Sequence, residues 1–134
     1  MEEFLSKTSA IEYSVQVLNV STIIVCGHSN CGGCNALFAD ESTLKHIPHT
    51  RKWLELSKAV REKLTRLHIA DPDVREWMSE QLNVVEQMRH LLTYPYIAER
   101  YRNGDLKILG WYYIIETGEV FDYQSDIRRF VKIQ

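Results

Sequence analysis

The chain has 134 residues, 45% of them apolar and 25% charged, with a formal net charge of -2. These values fit one α/β-sized globular domain, residues 1–134, and give no electrostatic case for a nucleic acid partner. No run approaches the roughly 20 apolar residues that cross a bilayer, and the acidic start Met1-Glu2-Glu3 lacks the basic segment of a signal peptide, so no membrane partner and a cytoplasmic location are expected.

Ser9-x-x-Glu12 is a capping-box pattern, and Ala10, Ile11, Ser14, Val15, Val17 and Leu18 recur at helical spacing. A helix from about residue 9 to 19 is predicted. Thr22 to Cys26 follows as an unbroken apolar, β-branched-rich run, the pattern of a strand buried on both faces of a parallel sheet. Gly27 breaks it, and Asn30 is expected to cap a helix whose first turn is Cys31-Gly32-Gly33-Cys34, fading near Ala39-Asp40. Thr50 then caps an amphipathic helix with Trp53, Leu56, Ser57, Val60, Leu64 and Leu67 on one face. Asp71-Pro72 opens the next, whose apolar stripe runs Val74, Trp77, Met78, Leu82, Val85, Met88 and Leu92 and is assigned to packing. After Tyr94-Pro95 a short helix ends at Asn103-Gly104. Lys107 to Ile115 is a second strand, turned by Glu116-Thr117-Gly118-Glu119 into Val120 to Tyr123 as a hairpin. Residues 125–134 give only an amphipathic tail.

The chemistry is concentrated at the end of the first strand, where open α/β sheets place their sites. Cys26, Cys31 and Cys34 lie within nine positions, an odd and clustered set that suits metal or redox chemistry better than a disulfide framework. A thiol at a helix N-terminus favours its thiolate, which singles out Cys31. His28 lies three residues earlier, and imidazole with thiolate is a donor set suited to zinc. Two ligands do not complete a site, and a satisfied histidine beside inert cysteines is the competing reading at this point.

Taken together, Ser9-Ala10-Ile11-Glu12-Tyr13, IIVCGHSNCGGC, Trp53 and LKILGWYYIIETGEVFDY resemble the β-class carbonic anhydrases, across essentially the whole chain. The resemblance implies a mostly parallel sheet flanked by helices, ending in a β-hairpin. It also implies a Cys-His-Cys zinc site, carbon dioxide and bicarbonate as reactants, and dimers or higher multiples. By that resemblance His28 and Cys31 are the second and third zinc ligands, with Gly32 and Gly33 letting the backbone approach the metal pocket. The family's first ligand sits in a Cys-x-Asp-Ser-Arg motif, which does not occur in these 134 residues. A chain offering two ligands is therefore expected to be inactive or impaired alone as a zinc lyase, and no catalytic residue is assigned within it. Cys26 is read as structural and Cys34 as a small residue packed under its helix.

The family's early strands lie beside the strand at 21–26, so one of its edges should be bare. Bare apolar edges pair with other chains, and a homo-oligomer formed there or by exchange of elements is expected. Two other functions compete. One is a thiol redox protein using Cys31-Gly32-Gly33-Cys34, against which no proline directly precedes either later strand. The other is a non-enzymatic remnant that acts by self-association.

Overall fold

A computed structural model describes the backbone of residues 2–133 and the side chains of residues 5–133. Helix α1 (Glu2–Gln16) leads into strand β1 (Thr22–His28), followed by three short helices, α2 (Gly32–Ala36), α3 (Glu41–Leu44) and α4 (Pro48–Leu54). A 3-10 turn at Glu55–Ser57 joins α4 to α5 (Lys58–Leu67), and α6 (Pro72–Leu91) and α7 (Pro95–Arg102) precede the remaining strands. These are β2 (Lys107–Tyr113), β3 (Val120–Gln124) and β4 (Arg129–Lys132).

The four strands form one sheet in the order β1-β2-β3-β4. β1 and β2 are parallel, with Thr22 opposite Lys107 and His28 opposite Tyr113. The long helical connection between them supplies the crossover that parallel pairing needs. β2, β3 and β4 then run antiparallel. The predicted α/β class and terminal hairpin are present, in a sheet that is mixed rather than mostly parallel. The tail adds a further strand, β4, which its polar composition concealed.

Helix α6 lies close against β1 and β2 because neighbouring strands carry glycine where it crosses. A Cβ on Gly27 would stand 2.5 Å from Val84 Cγ2, and one on Gly110 would stand 2.5 Å from Met88 Sδ and 3.0 Å from Val84 Cγ1. Val84 is accordingly almost fully buried. On the same side Val15, Leu91, Ile97 and Leu106 form one apolar cluster, joined by Ile23, Val25 and Ile108 from the strands. A second cluster, Leu37, Leu44, Leu54, Val60 and Leu64, holds the short helices to α5.

Several expectations change. β1 is not buried on both faces: Thr22, Ile24 and Cys26 are exposed while Ile23 and Val25 are partly covered, the period of two of a strand with one face open. α1 begins well before Ser9, whose hydroxyl donates to Ser6 C=O at 3.0 Å and so caps nothing. Cys31, not Asn30, occupies the N-cap of α2, and Ile47, not Thr50, occupies that of α4, with Pro48 as the first helical residue. The helix predicted through Trp53 to Leu67 is divided by the 3-10 turn, which leaves Trp53, Leu56 and Leu67 exposed. α6 is rotated from its predicted stripe: Ser79, Glu80, Val84 and Leu91 are buried, and Trp77 and Leu92 are exposed. Asp71 caps α6 as expected, accepting from Asp73 N–H at 2.9 Å.

Candidate metal centre

His28 is the last residue of β1, and Cys31 is the N-cap of α2, so a two-residue loop separates the strand end from the helix start. Ser29 N–H donates to Tyr113 C=O at 2.9 Å, extending the β1–β2 ladder by one step. The Ser29 hydroxyl donates to Glu116 Oε2 at 2.8 Å and accepts from Ile115 N–H at 2.9 Å. Asn30 Nδ2 donates to Glu116 Oε1, and Asn30 itself takes a left-handed conformation with φ of 54°. Asparagine tolerates that region better than most residues, and its amide here secures the loop rather than capping the helix. Its own backbone N–H, then the Ser29 hydroxyl, hold the Glu116 carboxyl below the usual carboxylate range.

The histidine ring has a defined tautomer. Nδ1 lies 2.7 Å from Ser29 C=O, and a carbonyl can only accept, so Nδ1 carries a proton and, in the neutral ring, Nε2 is the nitrogen with the lone pair. A backbone carbonyl holding the distal ring nitrogen is a common arrangement in metal-binding histidines.

Cys31 is held from the opposite direction. Its backbone N–H donates to Glu80 Oε2 at 2.8 Å, while Tyr112 Oη donates to Glu80 Oε1 at 2.7 Å. Glu80 is only 3% exposed, and each of its oxygens has a donor, which is the condition under which a buried carboxylate is tolerated. Burial, the bond to Glu80 and the nearby charges of Glu80, Glu116 and Glu76 all push the Tyr112 hydroxyl pKa up, so it stays a donor. Sequence reasoning missed Glu80.

The other cysteines separate. Cys34 is 5% exposed and packs under α2 as expected; burial first, then the neighbouring Cys31 thiol, push its pKa up. Cys26 does not point into a covered interior. It lies on the open face of β1, its thiol 3.6 Å from Gly27 C=O. Trp53 lies over this region, its ring 3.6 Å from where a Gly33 Cβ would stand.

The donors present fit zinc in kind, a neutral imidazole nitrogen and a thiol. They fall short in number: among the described residues no group of three or more His, Cys, Asp or Glu side chains is placed to hold a metal ion. Beside them the edge of β1 opens onto a cleft of about 740 Å³, lined among others by Ile24, Cys31, Gly33, Trp53 and Leu91. Among the described residues no helix is long and apolar enough to cross a membrane.

An α/β chain that ends its one parallel strand pair in histidine and follows it with an N-capping cysteine belongs to the class whose sites lie at the carboxyl ends of strands. Comparison with known proteins gives the family. The carbonic anhydrase family profile matches residues 1–120. The carbonic anhydrase of Helicobacter pylori strain J99 is 36% identical over 140 residues, covering 99% of this chain and 62% of the relative. That of Synechocystis is 36% identical over 128 residues, covering 94% of this chain and 46% of the relative. The β-carbonic anhydrase CcaA superposes with a TM-score of 0.89 at 34% identity, over 95% of this chain and 57% of that one. The chain belongs to the β-class carbonic anhydrase family. It spans roughly half to two thirds of the length of these relatives.

Proposed function

We propose that this chain contributes to reversible hydration of carbon dioxide to bicarbonate, with His28 Nε2 and Cys31 Sγ as two of the donors to a zinc ion. When bound, zinc would supply the Lewis acidity that activates water. The chain's own residues orient the donors. Ser29 fixes the imidazole tautomer, Glu116 ties down the intervening loop, and Glu80 anchors the backbone of Cys31. The observation that carries this reading is the commitment of Nδ1 to a backbone carbonyl, which leaves Nε2 free for a cation. The first ligand and the aspartate-arginine pair of Cys-x-Asp-Ser-Arg come from polypeptide outside these residues, and the chain alone is inactive or impaired. The three clustered thiols suit the reducing cytoplasm.

The same reading makes the protein a homo-oligomer. β1 pairs with β2 alone in the sheet order, and its free edge is apolar. The fungal relatives from Sordaria macrospora, 31% identical with a TM-score of 0.72, are tetrameric. Association here proceeds through the edge of β1 or by exchange of elements.

Zinc content and carbon dioxide hydration of the purified chain, measured before and after adding a peptide bearing Cys-x-Asp-Ser-Arg, test the reading. Little zinc and little activity are expected before addition, and a gain in both afterwards that His28→Ala abolishes. Zinc uptake indifferent to His28→Ala would overturn it.

A further inference from the structure

We infer that Cys31 and Cys34 form a dithiol that a low-molecular-weight disulfide, such as oxidised glutathione, converts to an intramolecular disulfide, and that this withdraws Cys31 from the metal donors. The second half of this statement rests on the zinc reading above; the first does not.

The pairing follows from the backbone. Cys31 is the N-cap of α2 and Cys34 the third residue of the helix, and Asn35 N–H closes the turn on Cys31 C=O at 3.0 Å. Residues three apart across a helical turn are within reach of a disulfide's usual Cα separation, roughly 4.4–6.8 Å. The two thiols are near enough that Cys31 raises the pKa of Cys34. Neither intervening residue obstructs them: Gly32 and Gly33 have no side chain, and Cys31 Sγ lies 3.8 Å from where a Gly33 Cβ would stand. Cys26, on the exposed face of β1, is a third thiol, distinguished from the pair by its hydrogen bond to Gly27 C=O.

Burial sets the order of events. Both thiols border the cleft, but Cys31 is part-exposed whereas Cys34 is 5% exposed. The Cys31 thiolate attacks one sulfur of the small disulfide, a mixed disulfide forms, and the first small thiolate leaves. Cys34 loses its proton to that leaving thiolate and attacks the Cys31 sulfur, expelling the second. Two protein thiols are oxidised to one disulfide, and one small disulfide is reduced to two thiols.

The test exposes the reduced chain to oxidised glutathione, blocks residual thiols by alkylation, and reads intact mass and thiol count. The expected product has lost two hydrogens, carries no glutathione and retains one alkylatable thiol. Cys26→Ser should lose both of its remaining thiols in the same way, and Cys34→Ser should hold glutathione at Cys31. Persistence of all three thiols, or a requirement for Cys26, would overturn the dithiol, and the Cys26→Ser result decides this even if Cys34→Ser does not fold. Zinc added beforehand at ten times its apparent Kd should slow the loss of thiols about tenfold. A disulfide that forms at the same rate with and without zinc removes Cys31 from the metal donors and overturns the withdrawal, while leaving the dithiol standing. Absence of the disulfide, with zinc still bound through His28, has the reverse meaning.

Discussion

Glu80 holds two donors that have no other hydrogen-bond partner, the N–H of Cys31 and the hydroxyl of Tyr112. Removing both acceptors while keeping the volume isolates their worth. Glu80→Met should destabilise the fold by about 1–3 kcal/mol for each donor left buried and unmet. Glu80→Gln still offers an oxygen to Cys31 N–H and an amide to the Tyr112 oxygen, so it should cost less than Glu80→Met by at least about 1 kcal/mol. Urea denaturation of the two variants checks the order, and equal stabilities would remove Glu80 from this role. The places of His28 near the strand end and Cys31 at the helix start were legible in the sequence because both are local features. Glu80 was not, since its partners lie 49 and 32 residues away and nothing local marks them.

At the level of elements, β1 and α6 meet through missing side chains. Val84 is β-branched and 2% exposed, so its Cγ2, 2.5 Å from a Cβ on Gly27, has nowhere to move. Gly27→Ala should therefore cost about 1–3 kcal/mol by overpacking. Gly32→Ala is the control: it lies in the first turn of α2 with nothing within 4 Å, and alanine there should be neutral or stabilising by up to about 1 kcal/mol. Shifts of the urea midpoint in opposite directions, or a shift for Gly27 alone, support the contact; equal shifts refute it. This contact also accounts for the rotation of α6. The apolar pattern Trp77, Met78, Leu82 and Val85 gave one helical face, but the closest approach to the sheet is fixed by two glycines on different strands. Periodicity within a helix carries no information about where a distant backbone leaves room. The β1 pattern misled for a related reason, because an uninterrupted apolar run registers that both faces suit burial, not that both are covered within this chain.

For the molecule as a whole, β1 stands at one of the two edges of the sheet and a cleft lies beside it. Ile24 stands where the two meet, 44% exposed on β1 and bordering the cleft of about 740 Å³. The strand at the start of the sheet and the later hairpin fold where the sequence placed them. The motif whose absence led to the expectation of a bare β1 edge does not occur in these 134 residues, and β1 pairs with β2 alone among the described residues. If association uses that edge, a charge there should oppose it, as lysine does on natural edge strands. Ile24→Lys removes a side chain already half in water, so its effect on folding should stay within about 1 kcal/mol. Sedimentation velocity on the two proteins at matched concentration separates the effects: wild type should sediment as a dimer or larger species and Ile24→Lys should shift toward monomer at unchanged helical content. A wild-type chain that is monomeric and fully folded when dilute would show that the bare edge needs no partner, and an oligomer unaffected by Ile24→Lys would move the interface away from β1 to another exposed apolar surface, such as Leu5, Tyr13, Val17 and Leu18 of the N-terminal region.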